Sequence, residues 1–100
     1  MSKLDDAREN INIIDEEMAK LFEKRMKAVE DIAKYKKENS LPILDEKREE
    51  EVVKKNLSFI NDPVIREYYK DFLKEVMNES KKYQNIIIND NKNVWLLYQT

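Results

Sequence analysis

The stretch LDDARENINIIDEEMAKLFEKRMKAVEDIAKY, residues 4–35, decides the fold. Its apolar residues recur at Leu4, Ala7, Ile11, Ile14, Met18, Leu21, Ala28, Ile32 and Tyr35, mostly in steps of three and four. That is the rhythm of one side of a long amphipathic helix, and no Pro or Gly interrupts it. The same rhythm asks for an apolar residue at position 25, where the chain has Arg25. Burying a guanidinium without a partner costs several kcal/mol of lost solvation, so Arg25 implies something anionic opposite it. A salt bridge to Glu49 or Asp45 is the structural alternative to a ligand.

Working outward, the helix is predicted to run from near Lys3 to about Glu38, roughly 50 Å at 1.5 Å per residue. A compact chain of this length is only about 35 Å across, so such a helix overhangs whatever the remaining residues can fold against it. Its apolar stripe continues to both ends. A second copy of the chain is the natural cover, and we expect a homodimer with the long helices packed together.

The composition agrees with an all-α chain. Of 100 residues, 40% are charged and 41% hydrophobic, with no Gly and two Pro. A net charge of −2, with cations and carboxylates interleaved, gives no overall attraction to nucleic acid or to an anionic membrane. The absent residues exclude several chemistries. Without Cys or His there is no thiol nucleophile, zinc–thiolate site, catalytic triad or imidazole ligand. Without Gly there is no phosphate-cradling loop and no standard calcium loop. No apolar run reaches the length of a membrane span, and the first residues do not read as a signal peptide, so a soluble cytoplasmic protein is expected.

After Asn39 and Ser40, Leu41-Pro42 forces an extended backbone. Asp45 is placed to cap a second helix, with Glu46 and Glu49 in its first turn and Val52, Val53, Leu57 and Ile60 facing inward. That helix is predicted to stop around Asn61. Asp62-Pro63 then reads as the cap and first position of a third helix. The apolar line of this helix is expected at Val64 or Ile65, Tyr68, Phe72, Val76, Tyr83 and Ile87, with Ser80 and Gln84 stacked on it four residues apart. Three helices per chain, one of them very long, form the expected fold. Residues 1–88 are taken as one domain and 89–100 as a tail of unassigned role. Within the tail, residues 89–93 read as a turn, and Val94 to Tyr98 read as a strap on a dimer or as a linker.

Spacing brings the polar candidates together. Arg25 and Lys36 are eleven residues apart, three helical turns, so both point the same way about 16 Å from each other. Arg8 lies seventeen residues before Arg25, too far along one helix to share a small ligand with it. In an antiparallel dimer, Arg8 of one chain reaches the site of the other. Each residue also has an ordinary reading. Asp45 can be only a cap, Arg48 and Glu49 an exposed pair, Ser80 a small packing residue, and Gln84 a bridge between helices.

As a set, these residues resemble the all-helical class of chorismate mutase. The family pattern of an Arg before an Ile-Asp pair is met by Arg8 and Ile14-Asp15, followed by Arg25 and Lys36 at the family's intervals. The loop Pro-Ile-x-Asp-x-x-Arg-Glu is met by Pro42, Ile43, Asp45, Arg48 and Glu49, and Glu-Ser-x-x-x-Gln by Glu79, Ser80 and Gln84. The resemblance spans residues 4–87 without a gap. It implies conversion of chorismate to prephenate in phenylalanine and tyrosine biosynthesis, without metal or cofactor.

Carried over residue by residue, Arg25 and the partner chain's Arg8 grip the substrate carboxylates. Lys36 and Gln84 donate to the ether oxygen, and Glu49 with the Asp45 backbone region receives the ring hydroxyl. Arg48 and Ser80 complete the carboxylate shell. An amide at position 84 donates without being protonated, so no acid requirement is expected there. Two alternatives stay open: an isochorismate-pyruvate lyase on a similar scaffold, and a non-catalytic helical dimerisation or regulatory module.

Overall fold

A computed structural model of the chain describes residues 2–89. It contains α1 (Lys3–Glu38), α2 (Glu46–Leu57) and α3 (Pro63–Ile88), with no strand among the described residues. The expected turn-and-strap in the tail falls on residues 90–100, outside those described, apart from Asn89, which caps α3.

Local chemistry sets the helix ends. Ser2 caps α1 by accepting from the Asp5 amide at 3.1 Å, and Asp5 and Asp6 complement the positive end of the helix dipole. At the other end, the Leu41 amide donates to Lys36 O at 2.9 Å and the Ser40 amide to Lys37 O at 3.4 Å. This is the paired bonding of a Schellman turn, which needs a left-handed residue between cap and loop. In a chain without Gly, Ser40 takes that role, with φ 53°. The turn sends Leu41 to Asp45 back towards the helix they have just left.

Asp45 does cap α2, accepting from the Arg48 amide at 3.0 Å. The helix ends at Leu57, four residues earlier than the expected stop near Asn61. The next three amides bond three residues back, to Lys55, Asn56 and Leu57, so the chain tightens and leaves the α-helical path. Arg66 holds the loop by donating to Ile60 O from Nη2 at 2.7 Å and from Nε at 3.1 Å. Asp62 then caps α3 through the Val64 amide at 2.9 Å, with Pro63 in the first turn as expected.

The third helix packs along both α1 and α2. The assembly is a slab of 53 × 36 × 16 Å with a radius of gyration of 17.0 Å, against about 13 Å for a compact chain of this length. Its apolar interior consists of Val29 and Ala33 from α1 with Leu73 and Met77 from α3.

Two expected stripes are therefore displaced. On α1 the residues facing α3 are not the long stripe, whose members Leu4, Ile11, Ile14, Met18, Leu21, Ile32 and Tyr35 are all exposed in the single chain. On α3 the buried line is Leu73, Met77, Ser80 and Gln84, while Val64, Ile65, Tyr68 and Phe72 are exposed. Val52, Val53, Leu57 and Ile60 are only half-buried. Both long helices carry apolar residues on adjacent lines, and one chain has enough partners to cover only one line of each. No helix among the described residues is long and apolar enough to cross a membrane.

Candidate functional site

Where α1, α2 and α3 approach the 41–45 loop, they enclose a cavity of about 140 Å³. Its apolar walls are Val29 and Ile32 from α1, Ile43 from the loop, Val52 from α2 and Met77 from α3. Into it come Arg25 and Lys36 from α1, Asp45, Arg48 and Glu49 from the start of α2, and Ser80, Lys81 and Gln84 from α3. Seven of the eight site residues expected from the sequence thus converge. Arg8 does not: it is exposed, seventeen residues before Arg25 towards the α1 amino terminus, and does not line this cavity.

Lys36 anchors the site. The Schellman turn at Ser40 returns the loop so that Lys36 Nζ donates to Ile43 O at 2.7 Å, and it also donates to Gln84 Oε1 at 3.0 Å. An ammonium has three donors, so one remains for a ligand. With its oxygen engaged by Lys36, Gln84 is left with its NH2 as the free end, again a donor. Gln84 and Ser80 are both buried, at 7% and 5% exposure.

Arg25 is half-buried and donates from Nη1 to Ser80 Oγ, which in turn donates to Val76 O at 2.9 Å. It is paired with neither Glu49 nor Asp45, the ion pairs that would have made it purely structural. Its partner is neutral, so the guanidinium keeps its charge uncompensated and most of its five donors unspent. No buried polar side-chain atom among the described residues lacks a hydrogen-bond partner. The fully buried polar atoms are thus satisfied within the chain, and the unspent donors of Arg25, Lys36 and Gln84 belong to atoms that are not fully buried.

Two contacts were not anticipated. Lys81 meets Glu49 at 3.0 Å, whereas Arg48 reaches Glu51 at 3.9 Å on the exposed side, so Arg48 and Glu49 are not paired with each other. Tyr83 donates to Glu30 across α1 and α3, and burial, followed by that bond and the Glu30 charge, pushes its pKa up from 10.0 to about 12. Lys81 was legible in principle, since it follows Ser80 and lies three and four residues from Gln84 and Met77, on the buried side of α3.

The cavity holds four cations, Arg25, Lys36, Arg48 and Lys81, against two carboxylates, Asp45 and Glu49. A larger hollow of about 570 Å³ lies between α2 and α3, but Glu46, Glu49 and Glu50 outnumber Lys54 and Lys74 along it. An anion is favoured in the first and opposed in the second.

Fold and site together define an all-helical protein with a cavity whose fixed cationic and amide donors suit a small anion. The family model described as Chorismate mutase type II matches residues 7–85, and the chain belongs to that family of isomerases. Membership supports chorismate mutase activity in general, with chorismate as the implied substrate. No curated protein and no solved structure matches the chain.

Proposed function

We propose that the chain catalyses the intramolecular Claisen rearrangement of chorismate to prephenate, as a step in phenylalanine and tyrosine biosynthesis in the cytoplasm. The observation that carries this reading is the meeting of Lys36 and Gln84 at 3.0 Å inside the cation-lined cavity.

The reaction breaks one ether C–O bond and forms one C–C bond within the same molecule. No atom, proton or electron is gained or lost, so nothing in the step requires a nucleophile or a base. What it requires is a compact substrate conformer and stabilisation of charge as the ether oxygen becomes negative. Lys36 and the Gln84 amide supply two donors for that oxygen. Because Lys36 is already held by Ile43 O and Gln84 Oε1, little reorganisation accompanies the transition state.

Arg25, fixed by Ser80, presents a planar fork to one substrate carboxylate, with Arg48 beside it. Glu49 and the backbone near Asp45 receive the ring hydroxyl. The apolar walls keep the local dielectric low, which strengthens each of these contacts.

The cavity, at about 140 Å³, is small beside the roughly 300 Å³ at which ligand pockets usually begin. We assign the missing wall to a second chain. Among the described residues, sixteen large apolar side chains are exposed against four buried apolar ones, and the exposed set includes the α1 stripe on which Arg8 rides. In an antiparallel pair that stripe is covered and the partner's Arg8 faces the cavity, where it supplies the second carboxylate grip.

The test is ultraviolet loss of chorismate with appearance of prephenate, run beside isochorismate. Turnover of chorismate supports the reading; pyruvate release from isochorismate alone replaces it with a lyase, and inertness towards both replaces it with a binding module.

A further inference from the structure

Glu49 is a carboxylate inside a cavity that, on the reading under Proposed function, must hold a dianion. Left alone it would repel the ligand it is meant to orient. The chain resolves this with Lys81, whose Nζ lies 3.0 Å from Glu49 Oε2, each side chain being 29% exposed. The neighbouring lysine behaves differently: Lys82 pairs with Glu79 at 3.0 Å, with side chains 72% and 52% exposed, an ordinary solvated contact along one helix. Lys81 instead crosses from α3 to α2 at the edge of the cavity and lines it.

We propose that Lys81 is a positioning residue of this cavity, pinning Glu49 by one carboxylate oxygen so that the other accepts the substrate's ring hydroxyl. This rests on the mutase reading and adds to it the element that selects for a hydroxyl at that place on the ring. A carboxylate free to rotate offers its lone pairs in many directions, whereas one held at Oε2 presents Oε1 in one. Lys81 also sets the charge of the cavity. With it, four cations face two carboxylates; without it, three face two, and the attraction for a doubly charged ligand is halved before any partner chain is counted. Since Lys81 acts through Glu49 and on the ground-state dianion, its effect belongs in substrate binding rather than in the bond-breaking step.

Because the pair also joins α2 to α3, a purely structural clamp is the rival, and the experiment separates them. Steady-state rearrangement of chorismate and thermal melting are measured for the full chain, for Lys81→Met, Lys81→Arg and Glu49→Gln, and for the Lys81→Met/Glu49→Gln double variant. The expected result is a KM raised about tenfold in Lys81→Met with kcat within about twofold, the size of one charge-assisted contact. Lys81→Arg restores KM, and the rise in KM from Glu49→Gln to the double variant is smaller than that from the full chain to Lys81→Met, because no naked carboxylate remains for Lys81 to neutralise. An unchanged KM in Lys81→Met, additive losses in the double variant, or failure of Lys81→Arg to restore binding overturns the assignment. Unmodified chain that leaves chorismate untouched overturns the mutase reading and this inference together, whereas active chain with an indifferent Lys81→Met overturns this inference alone.

Discussion

Lys36 Nζ lies 3.0 Å from Gln84 Oε1, although the two residues are forty-eight positions apart and sit on helices that run side by side. The contact orients both groups at once. The ammonium is held with one N–H unspent, and the amide is turned so that its NH2 end is free. Two donors thus stand next to each other before any ligand arrives.

Lys36→Ala removes one of the two. A single donor aimed at a developing oxyanion is worth about a hundredfold to a thousandfold in turnover. We expect kcat to fall by that order with melting little changed, since the Lys36 side chain is only half-buried. Near-normal turnover would end its assigned role.

Gln84→Glu tests the other donor. A carboxylate cannot donate until it takes up a proton, so activity of the variant should rise towards acid pH and be lost as pH increases, while the unmodified chain lacks this dependence at the position. A flat profile for the variant argues that residue 84 does not face the ether oxygen.

Arg8 and Arg25 test the shared site. If Arg8 acts across chains, Arg8→Ala and Arg25→Ala are each inactive, but a mixed dimer carries one site with both arginines intact. Equal mixing with free exchange makes half of the dimers mixed, each with one good site of two, so about a quarter of full activity returns. No recovery after demonstrated exchange would place Arg8 outside the site.

Tyr83 predicts an alkaline weakness. Its pKa is raised from 10.0 to about 12 in the folded chain, by burial first and then by Glu30. Between those values the unfolded chain gives up the phenolic proton and the folded chain keeps it, so the contribution is complete below pH 10 and drains away as pH climbs to 12. Tyr83→Phe should cost about 1–2 kcal/mol near neutrality through the lost bond, with the gap from the unmodified chain narrowing above pH 10 in denaturant titrations. A gap of constant size across that range contradicts this account.

How much of this was legible without coordinates depended on how local the cause was. Asp45, Asp62 and Pro63 announce helix starts by chemistry confined to one turn, and all three act as expected. Ser40 was read as a helix end, but its left-handed backbone, and hence the return of Ile43 to Lys36, depends on bonding that no residue type spells out.

The choice of packing face was the hardest to read. On α1 the line through Leu21, Arg25, Ala28 and Ile32 lies beside a second through Phe22, Met26, Val29 and Ala33. Periodicity finds an apolar stripe but does not say which chain will cover it. Arg25 sits at the border of the two lines, which is why it reads as an intruder in one and serves as a wall of the cavity next to the other. Lys81 was hidden for a different reason: in a run of Ser80, Lys81 and Lys82 nothing but helix phase distinguishes the buried lysine from the solvated one.

The thinness of the slab, 16 Å, reaches beyond architecture. A sheet of helices so shallow keeps little of its greasy surface away from water by itself, so in the pair we propose, mass action does part of the folding. Dilution then works like a mild denaturant. A tenfold more concentrated sample should melt a few degrees higher, and a midpoint indifferent to concentration would mean each molecule stands unaided. Abundance would then govern how much of the protein is structured and competent, quite apart from how fast each copy works.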